Sequence, residues 1–172
     1  TQPFEDIDVH ADPDGSPCPN DLRDRVMVDV IHDGNWIPEK FTSHDPDHVL
    51  HPTNLERSFV SERDWGAECV ASSLASALHL PRYYRVNTAR ALLDFGRFPG
   101  TSRTGADHMS RFAITHPFSE QLDHKQVQDL LENHYDVISR GMDEVMNDKL
   151  LKIAIHTYDP RKPGRSRRPA VA

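Results

Sequence analysis

Three apolar runs in this chain end on residues able to bind a metal or a carboxylate. Val26-Met27-Val28-Asp29-Val30-Ile31 leads into His32-Asp33-Gly34, Ala91-Leu92-Leu93 into Asp94 and then Arg97, and Leu150-Leu151-Lys152-Ile153-Ala154-Ile155 into His156-Thr157-Tyr158. Imidazole is a common zinc ligand, and the arginine fork matches a carboxylate. In an open α/β sheet, ligands bind in the crevice beyond the carboxyl ends of parallel strands. If the three runs are parallel neighbours, two histidines and an arginine meet in one crevice. That is the geometry of a small-molecule metal site.

Each residue also has a plainer reading. A lone strand-end histidine is more often hydrogen-bonded within the structure than a ligand; two of them, His32 and His156, bring the readings level. Gly34 permits a tight turn beside an ion. A third ligand should be a carboxylate, leaving one position open for water. Asp64 and Glu62 are the candidates, and their rival role is to cap a helix and complement its dipole. Arg97, or Arg90 on the second strand, can clamp a substrate carboxylate or simply pair with Asp94. Arg103 and Arg111 flank a small polar loop and are weaker candidates for the same clamp.

The elements that must position these groups follow from the pattern. Residues 1–24, rich in proline and aspartate, read as a loop, and the first strand as about 25–31. The connection from His32 to Val60 is too long for a plain turn; connections beyond about 12–15 residues are usually functional. Ser61-Glu62-Arg63-Asp64 reads as a helix start, with Trp65, Cys69, Val70, Leu74 and Leu78 as its buried stripe. A second strand is expected at about 83–94. Ser119 is expected to cap a long helix over about 119–147, whose Met142, Val145 and Met146 read as core. The third strand follows directly, so strands and helices alternate as in a largely parallel βαβ sheet.

The 172 residues suit one domain. A net charge of −7 argues against nucleic acid, and no apolar run approaches the roughly 18 residues of a membrane span. Cys18 and Cys69 suggest neither a disulfide framework nor a metal clip, so a cytoplasmic setting is expected. The basic Pro/Gly segment at 161–172 reads as an exposed loop prone to cleavage.

In order and spacing, His32-Asp33-Gly34 with Pro38, Arg63-Asp64-Trp65, Ala89-Arg90 with Leu93-Asp94-Phe95-Gly96-Arg97, and Ile155-His156-Thr157 resemble the N-formylglutamate amidohydrolases, relatives of zinc carboxypeptidases and aspartoacylases. The likeness covers about residues 26–160. It implies an α/β fold with a mostly parallel or mixed sheet flanked by helices, zinc-carboxypeptidase-like and incomplete within this chain. It implies Zn2+ on His32, Asp64 and His156, with Arg97 and Arg90 for the carboxylates of a small acidic substrate and Asp94 orienting the arginine turn. The implied reaction is zinc-assisted hydrolysis of an N-acyl amide, of the kind used in histidine catabolism. The chain departs from the family at Gly96, where the family has asparagine, at Ala154, where it has an acid, and at Thr157, where it has serine. The later strands and the glutamate that serves as general base have no counterpart. The chain is therefore expected to be the N-terminal part of a longer or cleaved protein, completed by a second chain or a C-terminal segment.

Overall fold

A computed structural model describes residues 4–10, 13–15, 19–102 and 112–158. Its centre is a four-stranded mixed sheet formed by β1 (Phe4–Asp8), β2 (Val26–Val30), β3 (Arg82–Val86) and β6 (Leu151–Ala154), in the order β1-β3-β2-β6. β2 runs parallel to both β3 and β6, and β1 closes one edge antiparallel to β3. The runs ending at His32 and His156 are thus parallel neighbours, with Asp29 opposite Ala154.

Helices cover both faces, as strand alternation requires. Val28 and Val30 point to α3 (Ala67–Ala77), where Ala67, Ala71 and Ala75 form a fully buried i, i+4 stripe. Those small side chains let the helix lie close on the sheet. On the other face Ile31 and Val86 meet Ile138 and Met142 of α6 (Asp136–Met146). A third cluster, built on Phe41, Leu92, Leu93, Ile114, Phe118 and Leu130, packs under the segments that follow the strands.

Several sequence expectations are corrected. The segment read as a loop over 1–24 contains β1 and a short helix, α1 (Asn20–Arg23). The acids that suggested a loop instead meet cations across the strand pair: Asp6 faces Arg82, and Glu5 lies 3.0 Å from Arg85. The long connection holds a 3₁₀ turn (Glu39–Phe41) and α2 (Pro52–Glu62), so Ser61 lies at a helix end rather than a start. The fully buried stripe on the next helix is the alanines: of the expected residues Leu74 and Leu78 pack partly buried on the same cluster, but Trp65 is 55% exposed, Val70 50%, and Cys69 is exposed. Alanine carries too little hydrophobic signal to outvote larger neighbours in a periodicity count. The second strand stops at Val86, and Ala91-Leu92-Leu93 is a buried turn, not a strand. Arg90 therefore lies on that turn.

The expected long helix is broken into α4 (Phe118–Gln121), α5 (His124–Leu130), a π turn (Leu131–Tyr135) and α6. Asp123, not Ser119, is the effective cap, in a reciprocal capping box with Gln126. A small parallel pair, β4 (Phe98–Thr101) and β5 (Phe112–Ile114), completes the fold. Arg103, Arg111, Cys18 and the basic segment 161–172 lie outside the described residues.

Candidate metal centre

His32 and His156 both leave the carboxyl ends of parallel strands, and their rings come within 5.0 Å, centroid to centroid. Asp64 enters between them from the junction of α2 and α3. Its backbone N–H donates to His32 O at 3.0 Å, and its carbonyl accepts from Ala67 N at 3.1 Å. The residues beside the ligands set that junction. Asp33 accepts from Arg63 Nε at 2.6 Å and from Glu68 N, in the first turn of α3, at 2.9 Å. Thr157 donates to Trp65 O at 2.9 Å, tying the His156 strand end to the same junction.

Gly34 has a packing reason. A Cβ there would stand 2.4 Å from the Asn87 backbone, because Trp36 N bonds Asn87 O and Ala89 N bonds Trp36 O. Chain beyond β2 is thereby stitched to chain beyond β3, which delivers Arg90 and Asp94 to His32. Close backbone approach, rather than a tight turn beside an ion, is what this glycine serves.

One ligand atom from each of His32, Asp64 and His156 falls within 4.8 Å of the others, so the group could hold a metal ion. His156 Nδ1 lies 2.8 Å and His32 Nδ1 3.5 Å from Asp64 Oδ2. The second separation is close to the spacing of about 3.3 Å between two ligands of tetrahedral zinc. His32 Nδ1 is also buried without a hydrogen-bond partner, whereas its Nε2 is held 2.9 Å from Asp94 Oδ1. In the neutral ring, Asp94 would hold the proton on Nε2 and leave Nδ1 as the donor atom toward an ion, the usual role of a carboxylate behind a metal-bound histidine. The residues fit a metal. Glu62, the alternative acid, ends α2 and takes no place in the group.

Asp94 therefore does more than orient an arginine turn. Besides His32 it receives Gly96 N at 2.9 Å, Arg90 Nε at 3.1 Å and Arg97 Nε at 3.3 Å. Burial alone would raise its pKa, but the His32 hydrogen bond and the arginine charge outweigh it and hold the carboxyl well below the usual range. Asp64, likewise opposed by burial, is lowered to about 2 by His156, His32 and Arg90. For His32, burial pulls downward, and the two carboxylates reverse it to a raised pKa.

The two candidate arginines separate. Arg90 is a brace, bonding Asp94 through Nε and Asp64 Oδ1 through Nη1 at 3.2 Å. Arg97 is a third exposed and bonds Asp94 through Nε at 3.3 Å. Gly96 lies against the His32 ring, where a Cβ would stand 3.4 Å from Cε1. Sequence reasoning missed two participants, the Asp33–Arg63 pair and Asp29. Asp29 is a buried carboxylate beside Ala154, 2.8 Å from Lys152 and raised in pKa by burial. An acid inside an apolar strand was the available signal for it.

No family model, no curated protein and no solved structure matches the chain.

Proposed function

We propose that the chain carries the metal- and carboxylate-binding half of a zinc-dependent amidohydrolase acting on a small N-acyl acidic amino acid of the N-formylglutamate type. The observation that carries this reading is the buried, partnerless Nδ1 of His32 facing Asp64 and His156 while Asp94 fixes the opposite ring nitrogen. His32, Asp64 and His156 would hold the ion, with one position left for water. Zinc in such a setting polarises an acyl oxygen and makes a bound water acidic near neutral pH. Arg97 then receives the substrate's carboxylate, and Arg90 keeps Asp64 Oδ1 occupied so that Oδ2 faces the histidines.

Among the described residues the carboxylates beside the centre are engaged, Asp33 by Arg63 and Glu68 N and Asp94 by His32 and the arginines, so the general base is proposed to come from outside this group. A second chain or a C-terminal segment is the proposed source. The same engagement favours a second reading, a non-catalytic module on this fold that binds metal and anion without turnover. Formate release from N-formylglutamate, set against a panel of other acyl amino acids, separates these readings and a different amide hydrolase. The expected result is about one zinc per chain, with formate released once the completing chain is present. Zinc content unchanged in His32→Ala and His156→Ala would sink the site. Full zinc without hydrolysis of any acyl amino acid, partner included, selects the binding module.

A further inference from the structure

Within the continuous helical run 124–146, the π turn at Leu131–Tyr135 departs from α geometry, and such single-turn bulges gather at functional sites. Its two last residues grip the two segments that build the centre. His134 sits between Trp36 at 5.9 Å and Phe41 at 5.5 Å, beside the stitch that follows β2. Tyr135 stacks on Phe95, with centroids 5.5 Å apart and planes 9° from parallel, and its hydroxyl donates to Arg97 O at 2.6 Å. An extra residue in the turn rotates both side chains away from where a continuous α-helix would put them. Burial pushes the Tyr135 hydroxyl up, so it stays a donor at neutral pH.

The Asp94–Arg97 turn is otherwise held by Asp94 N on Ala113 O, Gly96 N on Asp94 Oδ1 and, at its far end, a longer bond from Arg97 N to Asp94 O at 3.2 Å, which leaves the Arg97 carbonyl to Tyr135. The Arg97 side chain has the longest of the four Asp94 contacts described above, 3.3 Å through Nε. The aim of its terminal nitrogens therefore depends on the backbone at residue 97, and Tyr135 holds that carbonyl.

We infer that Tyr135, presented by the π turn, is the positioning residue that sets the carboxylate-binding geometry of Arg97. This rests on the reading of Arg97 as the anion site, and it names the device that tunes that site's affinity. The test is calorimetric titration of the metal-free full chain with glutarate at low ionic strength, comparing wild type, Tyr135→Phe, Arg97→Gln and the double variant. Tyr135→Phe keeps the stacked ring and removes only the hydroxyl. Glutarate binding is expected to weaken about fivefold in Tyr135→Phe and tenfold or more in Arg97→Gln. The double variant should match Arg97→Gln alone, a coupling that a general loss of stability would not produce. Wild-type affinity in Tyr135→Phe, or the same fivefold loss in the Arg97→Gln background, overturns the inference. If wild type binds no glutarate, the anion reading fails and the inference with it. Zinc content and formate release report separately on the metal reading.

Discussion

The most consequential single residue is Asp94, because it serves one histidine and two arginines at once. Replacing it with asparagine removes the charge that both arginines and His32 face and exchanges a carboxylate acceptor for a neutral amide. Zinc affinity in Asp94→Asn should fall about 10–100-fold, the usual cost of losing a carboxylate behind a metal-bound histidine, as competition with a chromogenic chelator will show. His134 offers a test remote from the centre. Burial first, then the Lys40 charge, lowers its pKa below 6.5, and its Nδ1 is buried without a hydrogen-bond partner. The unfolded chain thus takes up this proton before the folded one does. The contribution is intact above pH 6.5 and is lost as pH falls toward the depressed folded value. Urea midpoints at pH 7.5 and pH 5.0 should converge in His134→Leu relative to wild type. An equal acid drop in both proteins would show that His134 has no part in it.

Among the elements, α2 has an uncommon cap. His51 stands at its N-cap and accepts from Thr53 N through Nδ1 at 3.3 Å, a long bond that requires a neutral ring. Aspartate reaches the same donor and adds favourable charge at the helix start. His51→Asp should stabilise the fold by about 0.5–1 kcal/mol, read from urea unfolding at pH 7; a drop in stability would mean the imidazole has a further role. On the sheet, Lys152 is the ion-pair partner of the buried Asp29. Removing it by Lys152→Met strands a carboxylate in the core, at a cost of about 1–3 kcal/mol. Adding Asp29→Asn should restore much of that loss, because the buried charge goes with it. Thermal melts of the single and double variants measure the recovery.

At the scale of the whole molecule, β6 is last in sequence among the strands yet pairs with β2, the strand that carries His32. The centre therefore joins His32 and His156 across about 120 residues of sequence, while β1 and β6 occupy opposite edges of the sheet. Truncation before Leu150 should abolish the cooperative thermal transition followed by circular dichroism, since it uncovers β2 and removes His156. A truncated chain that still melts cooperatively would make β6 an accessory to an independent core. Among the described residues no helix is long and apolar enough to cross a membrane.

The two histidines of the centre were legible in the sequence. His32 and His156 each follow an apolar strand, and a strand end has one direction in which to project them. Asp64 and Arg97 were named with rivals, Glu62 and Arg90, that no local pattern could dismiss. Only the tertiary structure separates them, setting Asp64 rather than Glu62 beside the histidines and bonding Arg90 but not Arg97 to Asp64, because the α2–α3 junction and the turn after β3 fall against His32. Two further features escaped local reading. The alanine stripe of α3 gains its meaning from the sheet it lies on, and β1 gains its strand from arginines on β3 that neutralise its acids. Residue types and their order determined which chemistry this chain can carry. Long-range backbone pairing decided which carboxylate meets the histidines and which arginine braces it.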